Sequence, residues 1–152
     1  MSAPSWPPVS ELVPHAGDAI LIDRIVSHSP AETRVEVVVG SRPALRAADG
    51  SVPAWLAVEF MAQGIAAHEG LLEWSEGRPI PVGFLISVNG ADLKTDFFAA
   101  DEVLTVSARR VRGRPGLGVI SHQCAVFRTR NGESVATGRL AIAVDPEARA
   151  RA

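Results

Sequence analysis

Glu59 and Gln63 are the only carboxyl and amide side chains in the stretch Ala54–Ala67, which is otherwise apolar on nearly every face. An ionised carboxylate buried without a partner costs on the order of several kcal/mol, so a glutamate in such a run is either paired or at work. Desolvation would raise its pKa towards neutrality, where a general acid or base is most effective. In a helix Gln63 follows one turn later, about 40° round the axis, where its amide can orient that carboxyl. The structural alternative is a carboxylate that caps buried backbone or lines a dimer seam. The N–H groups near Ala54–Leu56 would head the same helix, and with the positive end of its dipole they are able to polarise a carbonyl.

The four histidines divide by position. His15 lies in Val13-Pro14-His15-Ala16-Gly17-Asp18, a turn before the first strand. His68 lies nine residues beyond Glu59, on the opposite helix face, and cannot share a site with it within one chain. His28 and His122 fall at strand positions with no acidic or histidine neighbour at ligand spacing, so surface or satisfied roles are expected. No metal site is expected. Arg109, Arg110, Arg112 and Arg114 form a basic cluster at a strand end, read either as a solvated hairpin tip or as a dock for an acidic partner.

The elements that must hold these residues follow from apolar spacing. Thr33–Val39 alternates, with Val35, Val37 and Val39 on one face. Val103–Val111, Gly118–Arg128 and Ser134–Val144 read as further strands, the last two joined by a hairpin through Asn131-Gly132. Ala19–Val26 and Pro81–Val88 are apolar enough for buried strands. From Ala54 to about Trp74 the chain is rich in helix formers and follows Pro53, which suits a first turn. A helix apolar all round should be surrounded. About six antiparallel strands wrapped round one long central helix is an α+β solution, the hot-dog arrangement.

The chain has 152 residues, 47% of them hydrophobic and 21% charged, enough for one domain (1–152, ordered core about 12–144) with a buried core. A net charge of -2 argues against a nucleic-acid surface. No apolar run approaches bilayer length and no signal peptide is evident, so a cytoplasmic location is expected. Cys124 is the only cysteine, which excludes an intrachain disulfide and thiol metal clusters.

Two segments carry a family resemblance. Pro53-Ala-Trp-Leu-Ala-Val-Glu59-Phe-Met61-Ala62-Gln63 resembles the P-G-V-L-x-x-E-A-M-A-Q helix of the hot-dog 3-hydroxyacyl-acyl-carrier-protein dehydratases of fatty-acid synthesis. Pro14-His15, followed by Ile20-Leu21-Ile22-Asp23-Arg24-Ile25, is similar to that family's P-H-R-x-P-x-L-L-x-D-R-V segment. Asp49-Gly50-Ser51-Val52-Pro53-Ala54-Trp55 through Gln63, with the later Gly83-Phe84-Leu85, is closest to the dehydratase-like proteins of aryl-polyene gene clusters.

The resemblance implies a homodimer or dimer of dimers with acyl tunnels between subunits. It also implies an acyl carrier protein as partner, with a second dehydratase or a ketosynthase as further candidate subunits. The substrate would be a 3-hydroxyacyl thioester carried on phosphopantetheine, with no other cofactor. Glu59 takes the catalytic carboxylate's place, and Ala54, Trp55, Gln63 and Gly83 the substrate-binding positions. The family's catalytic histidine, upstream of the helix, has no counterpart in Pro43–Val52. His15 across a dimer, or Asp49, would substitute, or the α-proton chemistry is lost. Dehydration therefore leads, with thioester hydrolysis and a non-catalytic acyl-binding subunit as alternatives. An acidic carrier protein would meet a basic rim drawn from Arg42, Arg46, Lys94 and the Arg109–Arg114 group.

Overall fold

A computed structural model describes residues 5–113 and 118–145. Six antiparallel strands form one sheet: β1 (Arg24–His28), β2 (Glu32–Val38), β4 (Val82–Leu93), β6 (Val103–Arg112), β7 (Val119–Arg128) and β8 (Ser134–Asp145), in the order β1-β2-β6-β7-β8-β4. β3 (Val52–Pro53) and β5 (Phe97–Phe98) make a small separate ribbon. The single long helix α1 (Ala57–Ser75) follows a 3-10 turn at Ala54–Leu56. This is the expected hot-dog architecture.

The alternating strands bury the faces their sequences mark. Val35 and Val37 on β2, Val39 just beyond it, Leu104, Val106 and Ala108 on β6, and Ile120, Cys124 and Val126 on β7 all turn towards the helix. Gly64 lets α1 come close to that sheet, since a Cβ there would lie 3.3 Å from a Val106 methyl. On the helix's other side runs the N-terminal segment, which buries Val9, Leu12, Val13, Leu21 and Ile22. Gly70 admits it: a Cβ at that position would meet the Leu12 carbonyl oxygen at 2.6 Å. The all-round apolar helix is enclosed between sheet and segment.

Two strand expectations need correction. Ala19–Val26 is not one strand: Gly17–Ala19 is a 3-10 turn and pairing starts only at Arg24. Leu21 and Ile22 are buried because they lie over the helix, not because they sit inside a sheet. Pro81–Val88 is indeed largely extended, within the longer β4, but β4 is an edge and its apolar side chains are open, with Phe84 56% and Ile86 52% exposed. A strand covers both its faces and its free edge only with a further partner.

Candidate active site

Glu59 lies in the first turn of α1 and Gln63 in the second. The Gln63 side chain is buried and its amide is fully engaged. Its Oε1 accepts the Leu21 N–H at 2.7 Å, while Nε2 donates to the Ala19 carbonyl at 2.7 Å and to Glu59 Oε1 at 2.9 Å. One side chain thus ties the incoming segment to the helix and points the Glu59 carboxylate.

The same segment delivers His15. Its Nε2 is 3.3 Å from Glu59 Oε1 within a single chain, so no crossing between subunits is needed to bring the two together. The ring's Nδ1 is buried without a hydrogen-bond partner, so packing and the Glu59 contact set its orientation. The expected full burial of Glu59 is not met: its side chain is 42% exposed, and that of His15 31%. Position explains this, because Glu59 stands where the helix face leaves the N-terminal segment and opens on a cavity.

That cavity has a volume of about 120 Å³ and lies between α1 and the β4–β8 edge of the sheet. Pro14, His15 and Glu59 line one end; Ala62, Ile65, Ala66, Leu85, Ile142 and Val144 make its apolar walls, and Gly83 keeps the β4 side open. The lining suits an apolar group, with a polar one meeting the His15–Glu59 end.

The remaining expected site residues are placed differently. Ala54 is buried, and its N–H donates to the Asp96 carbonyl at 2.9 Å, extending the β3–β5 ribbon. That N–H is spent and does not hold a substrate carbonyl. The N–H groups of Trp55 and Leu56 come next, and in a first turn these have no intrahelical acceptor. Trp55 is exposed beside them. Asp49 is drawn into its own turn, accepting from the Ser51 N–H at 3.0 Å and the Ser51 hydroxyl at 2.6 Å. The Ser51 hydroxyl, seconded by its N–H, holds the Asp49 carboxyl below its ordinary range, and the exposed turn does not reach Glu59.

A comparison with family models matches residues 7–151 to the ApeP-like model, described as ApeP dehydratase. The chain belongs to the ApeP-like family. No curated protein matches this ApeP-like chain. Among solved structures it is similar to the dehydratase heterocomplex ApeI:P from Xenorhabdus doucetiae, at 20% identity over 97% of each chain with a TM-score of 0.86. It is also similar to a mutant thioesterase from Staphylococcus aureus, at 12% identity over 80% of this chain and 92% of that one, TM-score 0.61. A third is a hypothetical thioesterase with coenzyme A from Streptococcus pneumoniae, at 16% identity over 80% and 84%, TM-score 0.57. At these identities the structural likenesses show the hot-dog fold.

Further along α1, with His68 on the helix face opposite Glu59, the ApeP-like chain holds a polar cluster that strand-by-strand reading misses. His68 Nδ1 and His28 Nδ1 each lie 2.7 Å from the Thr33 hydroxyl. His122 Nε2 lies 2.8 Å from Glu69 Oε1, and Arg110 grips both oxygens of that carboxylate. Burial, with the nearby Arg110 charge adding and Glu69 opposing, lowers His68 to about 4. Burial pushes the Glu69 carboxyl up, but the bonds from His122 and Arg110 outweigh it and hold it below its usual range. Arg110 is therefore not part of a solvated basic tip, whereas Arg109 and Arg112 are exposed and Arg114 lies outside the described residues. Arg42 is likewise tied to Asp23 at 3.0 Å. Burial raises the Cys124 thiol to about 12, which leaves it inert. Among the described residues no group of three or more His, Cys, Asp or Glu is arranged to hold a metal ion, and no helix is long and apolar enough to cross a membrane.

Proposed function

We propose that this ApeP-like chain eliminates water from a 3-hydroxyacyl thioester delivered by an acyl carrier protein. The observation that carries the reading is the His15–Glu59–Gln63 chain of contacts at the polar end of an apolar cavity. In the net-neutral pair, His15 Nε2 takes the α-proton, the C2–C3 double bond forms, and the C3–O bond breaks. Glu59 donates its proton to the departing hydroxyl, which leaves as water. The protonated His15 then returns its proton to the Glu59 carboxylate across their direct contact, restoring the starting state. Thioester polarisation falls to the N–H groups of Trp55 and Leu56 at the helix start.

The open apolar edge of β4 supports association with a second hot-dog chain, either another copy or a related subunit. Such a neighbour would roof the cavity and lower the exposure of Glu59. Arg46, Lys94, Arg109 and Arg112 are the exposed members of the expected basic rim, available to attract an acidic carrier protein.

The test uses 3-hydroxyacyl-carrier-protein thioesters with the purified chain, alone and with a dehydratase subunit from the same source. Wild type is expected to give the enoyl absorbance, and Glu59→Gln to abolish it while keeping fold and assembly. Full activity in Glu59→Gln overturns the reading. Because Glu59 is open to water, release of free thiol without enoyl product would replace elimination by hydrolysis.

A further inference from the structure

The cavity beside Glu59 has a second polar end that elimination does not use. Its helix wall is the stripe Glu59, Ala62, Ile65, Ala66 and Glu69, and the ten-residue step from the first to the last rises about 15 Å. Between the two carboxylates the lining is apolar. Glu69 itself is 4% exposed and is clamped from two different strands. Arg110 on β6 donates through Nε to Oε1 at 3.1 Å and through Nη2 to Oε2, and His122 on β7 meets Oε1 at 2.8 Å.

A wall of this kind behaves unlike an apolar plug. A leucine or phenylalanine yields to a longer chain by changing rotamer, at small cost. Moving Glu69 aside would strand a partly buried guanidinium and a fully buried imidazole, which is a larger penalty. Leaving it in place and pressing a terminal methyl group against it takes a charge further out of water for no gained hydrogen bond. Neither route accommodates extra methylenes.

We infer that Glu69, held by Arg110 and His122, is the end wall of the acyl channel and sets a sharp upper limit on the apolar chain this protein accepts. The inference rests on the acyl-thioester reading of the cavity, and its test separates the two. Saturated S-acyl-pantetheine thioesters of increasing length, which cannot be dehydrated, are titrated into the full-length protein in its native assembly. Affinity is expected to rise with each carbon up to a cut-off and then to fall by about tenfold or more over the next few. The double variant Glu69→Leu, Arg110→Leu, which strands no charge of that pair, should bind chains beyond the cut-off about tenfold more tightly than wild type and shorter chains equally.

Affinity that keeps rising past any length in wild type, or a cut-off that the folded double variant leaves in place, overturns the end wall. Failure of every chain length to bind overturns the acyl reading itself, and the wall with it. Should the double variant fail to fold, a diazirine at the tip of the longest chain that wild type binds supplies the decision. Cross-linking to Glu69, Ala66 or Val144 supports the wall, and labelling confined to other parts of the protein overturns it.

Discussion

Gln63 Nε2 donates to Glu59 Oε1 at 2.9 Å with an amide that also holds the Ala19 carbonyl and the Leu21 N–H. The aim of the carboxylate and the path of the segment carrying His15 are therefore set by one side chain. Gln63→Ala should strand the buried Leu21 N–H and leave the exposed Ala19 carbonyl to solvent, at a cost of about 1–3 kcal/mol of stability, while lowering turnover by about tenfold to a hundredfold. Gln63→Glu keeps an acceptor for Leu21 but places a second carboxylate against Glu59 and removes the donor. It should be at least as damaging to turnover. Thermal melts and single-substrate kinetics on the two variants check both statements.

His15 reaches Glu59 along the surface of its own subunit, so its contribution does not need a dimer. His15→Gln should retain the fold and lower elimination by about a hundredfold to ten-thousandfold, the range expected for losing a positioned general base. Kinetics on mixed assemblies of Glu59→Gln and His15→Gln chains test the geometry. A pair acting within one chain is not rebuilt by mixing, so recovered activity would place the base on the other subunit.

Gly70 is the point at which the N-terminal segment crosses the helix. A methyl group there would overlap the Leu12 carbonyl, and the rigid backbone on both sides has no flexible end to yield. Gly70→Ala should cost about 1–3 kcal/mol and displace Leu12–His15 from the helix. The expected signature is a lower Tm, faster proteolysis before Ile20, and loss of turnover larger than the loss of folded protein at the assay temperature.

β4 offers an edge with Phe84 and Ile86 open. If the proposed association uses this edge, Ile86→Lys on this strand should convert assemblies to single chains in sedimentation velocity without changing the circular dichroism. An unchanged sedimentation coefficient would move the association surface elsewhere.

The helix and the central strands were legible because one side of each is decided by burial and repeats at a fixed spacing: Val35, Val37 and Val39 alternate, and Ala54–Ala67 offers no solvent-seeking face. The Glu59–Gln63 pairing was legible for the same reason, as a one-turn relation within one element. What periodicity does not carry is contact between elements far apart in the chain. His28, Thr33, His68 and His122 meet only because β1, β2, β7 and α1 stack at one point, and each looks unremarkable in its own strand or turn. Ala19–Val26 misled because the burial of Leu21 and Ile22 comes from lying across a helix, with Gln63 rather than a neighbouring strand taking the Leu21 N–H. The spent N–H of Ala54 was equally invisible, since its acceptor, Asp96, is 42 residues downstream.

His68 makes the fold itself sensitive to acid. It is fully buried, its Nδ1 meets the Thr33 hydroxyl, and the groups around it are His28, His122, Glu69 and Arg110. In the unfolded chain it binds a proton near the ordinary imidazole value of 6.5, whereas in the fold it does so only at about 4. Between those values the unfolded state holds more protons, so stability falls as pH drops from 6.5 towards 4, by about 3 kcal/mol in all. His28, also lowered by burial, adds in the same direction. Glu69, whose folded carboxyl titrates below its ordinary range, contributes stability that is present above its unfolded pKa and disappears only at still lower pH. Urea titrations at pH 7.5 and pH 5 should therefore show a marked loss at the lower value for wild type and a clearly smaller one for His68→Gln. Equal losses in the two proteins would mean that His68 does not carry the acid sensitivity.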